Sequence, residues 1–195
     1  MAPSTTLAEV CSLLTSGKVP DARGVLQAKY PFVAPELSKR AYAPRESMQT
    51  FMRDGFIDRY SGARLVFPGT LRLIHRLAPQ EFPFQKNWKM TETHIAFWEL
   101  MPTVDHLRPI ARGGLDCPDN WITTSQLRNS AKSNWTLEEL GWRLYPEGSI
   151  AVWDGLTSWF TDYIAHHPEH LSDPYIRTWH KAADTNQVGF RPISS

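Results

Sequence analysis

The sequence predicts an α+β fold: a small core of short strands backed by a helix, an upstream β-hairpin, and helices on both flanks. Three observations carry this. Two extended runs, Pro102 to Asp105 and Trp121 to Thr124, flank a turn containing Pro109 and Gly113-Gly114, and a helical segment from Ser125 to Gly141 follows directly. Phe56 to Phe67 sets two β-prone runs around the polar turn at Ser61-Gly62, the pattern of a hairpin. Leu156, Trp159, Phe160, Tyr163 and Ile164 recur at i, i+3, i+4, i+7 and i+8, the apolar stripe of an amphipathic helix.

Taken in order, residues 1–50 form an N-terminal helical region. Thr5-Thr6 caps a helix through Leu14 that Gly17 stops, Asp21 caps a turn reaching Tyr30, and Pro44-Arg45-Glu46 opens a helix ending at Gly55. Lys39, Arg40 and Arg45 read as a solvated face. Residues 51–142 hold the core, with Leu71 to Leu77 as an insertion after the hairpin and Thr93 to Leu100 as a short helix or strand beneath the first extended run. The aromatics Phe82, Phe84 and Trp88 are expected to be buried. In the segment from Ser125, Leu127, Ala131, Trp135 and Leu140 give helical spacing. Residues 143–195 brace the core: Asp173-Pro174 is an N-cap with proline at the first helical position, and Pro168 breaks the helical register between His166-His167 and His170.

Bulk properties narrow the function. There is no apolar run of membrane-spanning length, nor the charged and then apolar start of a signal peptide, so a cytoplasmic protein without membrane attachment is expected. Two cysteines, Cys11 and Cys117, make neither a disulfide framework nor a four-cysteine zinc site. The net charge is only +1, but it is unevenly spread: ten basic against four acidic residues from Lys39 to Lys89, three against eight from Glu138 to Asp184. That asymmetry suits a polyanion on one side.

The chemistry concentrates in Val104-Asp105-His106-Leu107-Arg108-Pro109-Ile110-Ala111-Arg112-Gly113-Gly114, with Asn120, Asn129 and Lys132 beyond. If the strand persists, Asp105 and His106 point to opposite faces. Asp105 and Asn129 offer hard oxygen ligands suited to one Mg²⁺ or Mn²⁺, and two ligands leave coordination positions open. His106 is then placed to act as a general base, since imidazole titrates near neutrality. Lys132 shares a helix face with Asn129, and with Arg108 and Arg112 of the turn and Arg72 and Arg76 upstream it is a candidate phosphate contact.

Asp105-His106, Asn120 and Asn129 resemble the D-H…N…N form of the HNH endonuclease motif, with Pro109, Gly113-Gly114 and Lys132 also in the family's places. The resemblance covers about thirty residues, extended by the upstream hairpin. It implies a ββα-metal fold and metal-dependent hydrolysis of DNA, leaving 5′-phosphate and 3′-hydroxyl ends. His106 would be the general base, Asp105 and Asn129 the metal ligands, and Asn120 a side chain that holds the His106 loop by bonds to its backbone and so fixes which ring nitrogen faces the water. Many family members carry paired cysteines holding a structural zinc. Here those positions are Asp58, Ser61, Ser125 and Arg128, so no structural zinc is expected, and an Asp58–Arg128 ion pair is expected to tie hairpin to helix instead. Two other readings stay open: a nucleic-acid-binding protein of this fold without turnover, and a different chemistry on nucleic acid such as RNA cleavage or base excision. Target sequence, nicking against double-strand cutting, and monomer against homodimer are not written in the chain.

Overall fold

The computed structural model describes residues 2–32 and 42–187; Lys39, Arg40 and the tail from residue 188 lie outside them. The chain divides into two compact units, 1–40 and 41–195. In the first, α1 (Pro3–Thr15) and α2 (Val19–Lys29) pair as a helical hairpin, with Lys29 bonded to Glu9 at 2.7 Å.

The second unit is α+β and mostly helical. It contains α3 (Pro44–Arg53), α4 (Pro68–Leu77), α5 (Ala96–Glu99), β1 (Pro102–His106), β2 (Trp121–Ser125), α6 (Gln126–Lys132), α7 (Leu137–Leu140), α8 (Thr157–His166) and α9 (Pro174–Gln187). Prolines stand in the first turn of α3, α4 and α9, where the missing N–H is no loss. The carboxylate of Asp173 accepts from the backbone N–H of Tyr175 and Ile176, capping α9. No helix among the described residues is long and apolar enough to cross a membrane.

β1 and β2 pair antiparallel in a two-stranded sheet, with Asp105 opposite Ile122 and His106 opposite Trp121. The 56–67 hairpin is closed by a single bridge between Ile57 and Arg64 and by hydrogen bonds around Asp58. The main core gathers Met48 and Phe51 of α3, Phe56 and Phe67 of the hairpin, Val104 of β1, Phe160 and Ile164 of α8, and Ile176 of α9. A smaller core holds Val66, Leu71, Phe97 and Met101, against which Phe82, Phe84 and Trp88 pack.

Several expectations change here. The boundary drawn after residue 50 falls before residue 41, because the buried face of α3 packs on β1, β2 and α9. Leu71 to Leu77 is no insertion but part of α4, whose Leu73 is fully buried in the main core. The helix expected from Ser125 to Gly141 stops at Lys132. Ser133 takes φ 50°, and Thr136 caps α7 by accepting from Glu139 N–H while the Glu139 carboxylate accepts from Thr136 N–H. That reciprocal pair is a helix-start signal, and a new start there ends the old helix.

Candidate functional site

Strand alternation divides the site between two faces of β1. Val104 turns into the main core, so Asp105 turns the other way, toward α6 and the hairpin, and His106 returns to the side of Val104. Each of the two side chains is held by a different set of neighbours.

On the first face, Tyr60 Oη donates to Asp105 Oδ2 at 2.6 Å and Lys132 Nζ lies 3.0 Å from the same oxygen. The ammonium also donates to the His106 carbonyl at 2.8 Å and stands 5.6 Å above the Tyr60 ring. Lys132 is 0% exposed. This corrects its assignment as a phosphate contact. Sharing a helix face with Asn129 places it inward, because that is the face packed on β1. Burial, and next the negative charge and hydrogen bond of Asp105, raise the Tyr60 phenol far above its ordinary range, so it is a permanent donor to the carboxylate. One turn earlier, Asn129 Nδ2 donates to the Val104 carbonyl at 3.4 Å.

On the second face, His106 Nε2 lies 2.8 Å from Asp116 Oδ1 and 3.2 Å from Tyr42 Oη. The same carboxylate oxygen accepts from Trp121 Nε1 at 2.8 Å and from Tyr42 Oη at 3.2 Å. The His106 side chain is 7% exposed and that of Asp116 44%. Asp116, Tyr42 and Trp121 did not stand out in the sequence. Ten residues and a loop separate Asp116 from His106, and no spacing rule connects them.

The loop between the strands is locked by Asn120. Its Oδ1 accepts from Arg108 N–H at 2.9 Å, and its Nδ2 donates to the carbonyls of Arg108 at 2.9 Å and Leu115 at 2.8 Å. Asn120 touches backbone and not the His106 ring, so its hold on the histidine is through the loop. Gly114 is needed for the same clasp: a Cβ there would collide with the Arg108 carbonyl and stand 2.9 Å from Asn120 Nδ2.

Every fully buried side-chain nitrogen and oxygen among the described residues has a hydrogen-bond partner. Asp105 Oδ1, Asn129 Oδ1 and His106 Nδ1 have none among those residues, so these three atoms keep contact with solvent. The two oxygens are the hard donors that would suit Mg²⁺ or Mn²⁺. Among the described residues no three His, Cys, Asp or Glu side chains converge into a cage, so one carboxylate and one amide would hold the ion with water and substrate completing its shell. The Lys132 charge beside Asp105 weakens the attraction of that carboxylate for any cation.

Asp58 does tie the hairpin to β2 and α6, but not through Arg128. Its carboxylate, 1% exposed, accepts from Thr124 Oγ1 at 3.0 Å, Ser125 N–H at 3.2 Å and Tyr60 N–H at 2.9 Å. Arg128 is exposed, its guanidinium 5.6 Å above the Trp142 ring, and only its backbone N–H joins the junction, donating to Ser125 Oγ. The expected Asp58–Arg128 ion pair is therefore absent among the described residues: neutral donors already fill the carboxylate, so no buried charge needs a counter-ion. Asp54, also overlooked, does the same for α3. Fully buried, it accepts from Thr123 N–H at 2.6 Å and pairs with Arg53 at 2.9 Å and Arg59 at 3.2 Å.

Arg108 and Arg112 are exposed on the loop and line, with Leu107, Thr136, Leu137 and Glu138, an open groove of about 500 Å³. Arg112 also pairs with Glu139 at 3.0 Å. Arg72 and Arg76 lie elsewhere, on α4, where both approach Asp173 at 3.7 and 3.8 Å and Arg72 stacks on Phe84. The two guanidinium groups share that one carboxylate. The three histidines near the end of α8 make local contacts: His166 with the Asp162 carbonyl, His167 stacked on Tyr163, and His170 accepting from Arg76. No protein-family model, curated protein or solved structure matches this chain.

Proposed function

We propose that the chain is a metal-dependent endonuclease of the HNH type that hydrolyses DNA phosphodiester bonds. One observation carries the reading. Asp105 Oδ1 and His106 Nδ1 on β1 and Asn129 Oδ1 on α6, the atoms such a reaction needs, keep contact with solvent, while their companion atoms are bonded to protein. A bound Mg²⁺ or Mn²⁺, held by Asp105 and Asn129, would supply charge stabilisation at the scissile phosphate.

The protein's own part is to hold and move protons. His106 Nδ1 takes a proton from water as the water oxygen attacks phosphorus, the P–O3′ bond breaks, and the departing oxygen is protonated from solvent. Tyr60 and Lys132, both on Asp105 Oδ2, keep the carboxylate aimed. Asn120 and Gly114 keep the loop in register. Arg108 and Arg112, beside the groove, would contact the DNA backbone; phosphate contacts position the duplex without reading its sequence.

Supercoiled plasmid incubated with Mg²⁺, Mn²⁺ or EDTA tests the proposal. Metal-dependent nicking or linearisation is expected. His106→Ala should lose at least about 100-fold in rate, the lower range of what a positioned base contributes, while plasmid binding persists. A second reading, a DNA-binding protein without turnover, is favoured by the Lys132 ammonium already beside Asp105. Plasmid retention with no metal-dependent cutting would select it.

A further inference from the structure

The geometry points to Asp116 as the residue that fixes the tautomer of His106, placing the ring proton on Nε2 and leaving the Nδ1 lone pair for the attacking water; this rests on the endonuclease reading above. Neutral imidazole offers one donor and one acceptor nitrogen, and the partner of one nitrogen decides the role of the other. Nε2 faces a carboxylate oxygen at 2.8 Å. A carboxylate can only accept, so a neutral ring must donate through Nε2. Nδ1, without a partner among the described residues, is then the base.

The carboxylate is itself held. Its Oδ1 accepts from Trp121 Nε1 at 2.8 Å and from Tyr42 Oη at 3.2 Å, and Tyr42 packs edge-on against Trp121 with centroids 4.9 Å apart. Trp121 sits directly opposite His106 in the sheet, so the strand register brings the indole to the place where it steadies Asp116. The hydrogen bond from His106, helped by that from Trp121, holds the Asp116 carboxyl below the usual carboxylate range, which keeps it an anionic acceptor at neutral pH. Among the described residues the Asn120 side chain is bonded to backbone and makes no contact through which to choose between the ring nitrogens. Asp116 acts through His106 and is a positioning residue.

The test uses the full chain labelled with ¹⁵N-histidine. The His106 ring signals are identified by their loss in His106→Gln, and two-bond ¹H–¹⁵N spectra are recorded above the imidazole titration range. Wild type should show Nε2 protonated and Nδ1 bare. Asp116→Ala should shift His106 to a mixture of tautomers and slow Mn²⁺-dependent nicking at least about tenfold, with KM for plasmid unchanged, part of the contribution of a positioned base. Asp116→Asn, whose amide oxygen can still accept from the ring and from Trp121, should restore the Nε2–H form and most of the rate. Circular dichroism and thermal melts of each variant exclude misfolding as the cause. An unchanged tautomer in Asp116→Ala overturns the inference, as does a changed tautomer with an undiminished rate. If wild-type protein does not nick at all, the endonuclease reading fails, and the ring spectra alone still decide whether Asp116 sets the tautomer.

Discussion

Replacing Lys132 by methionine isolates the least expected contact of the site. The chain loses an ammonium that donates to the His106 carbonyl at 2.8 Å and pairs with Asp105 at 3.0 Å, and keeps a side chain of similar length to fill the space. A hydrogen bond to a charged donor contributes about 1.5–3 kcal/mol. Removing one partner of a buried pair costs about 3–5 kcal/mol, because the other charge is left uncompensated. Asp105 retains the Tyr60 hydroxyl and one wet oxygen, so the lower end applies and the expected loss is about 3 kcal/mol. At about 2–4 °C per kcal/mol for a chain of this size, Tm should fall by about 6–12 °C. Urea unfolding of wild type, Lys132→Met, Asp105→Asn and the double variant forms a double-mutant cycle. The double variant should be more stable than the sum of the single losses predicts, by at least about 1 kcal/mol, because it buries no orphan charge. A Lys132→Met protein within about 0.5 kcal/mol of wild type would behave like a surface substitution. The ammonium would then be in solvent, and the face of α6 that carries Lys132 would not be packed inward.

The remaining expectations concern the supports around β1. Asp58→Ala should destabilise the protein by about 3 kcal/mol or more, since three donors lose a buried charged acceptor, whereas Arg128→Ala should change stability by less than about 0.5 kcal/mol and show no coupling to Asp58; chemical denaturation of both and of the double variant decides. Tyr60 should stay protonated well beyond pH ~10, where free phenols ionise. Because its folded pKa is raised, the neutral phenol's stabilisation is fully present below that pH and is lost as pH climbs above it. Ultraviolet titration of wild type against Tyr60→Phe should therefore show no missing phenolate step near pH 10, and a missing step there refutes the buried Tyr60–Asp105 bond. Gly114→Ala should abolish plasmid nicking while the second unit stays folded, read by cleavage and melting together, since the added methyl meets the Arg108 carbonyl that Asn120 clasps.

The elements with strong local signals were legible. Both strands, the hairpin, α8 and the proline-led α9 follow from period, turn residues and caps, which act over a few residues. Lys132 shows where such reasoning stops. Its spacing from Asn129 correctly put both on one face of α6, but spacing has no sign, and only tertiary packing says whether that face looks inward. Asp58 shows the same limit in another form. Its position at a missing thiol marked it as a tie between hairpin and helix, yet the partner was sought among charges, whereas the fold supplies the backbone N–H of Ser125 and the hydroxyl of Thr124. Asp116 left no trace because its relation to His106 is made by a loop closing on itself. The break at Ser133 was readable from Thr136 and Glu139 and was overridden by the apolar spacing that continues through it.

The two faces of β1 impose different demands, and the chain meets them with opposite charge arrangements. Beneath Asp105 it buries a cation and a phenol, so the carboxylate has one oxygen committed to protein and one in solvent. Beneath His106 it sets an anion, so the imidazole has one nitrogen committed and one without a partner among the described residues. Adjacent residues on a strand cannot share a support, because alternation sends them apart. On the proposed reading that separation also serves the chemistry: a base on the same face as the carboxylate would compete with it for the cation, and Lys132 would face an imidazole as well as Asp105. The Lys132 bond to the His106 carbonyl then matters for geometry, since one ammonium holds both the Asp105 carboxylate and the backbone that leaves His106. On the proposed endonuclease reading, a metal ion would meet a carboxylate already paired with an ammonium at 3.0 Å, so its occupancy should depend on the negative phosphate it arrives with. Weak binding of the free ion, tightened by an anionic substrate, is what that reading then predicts for this arrangement of charges.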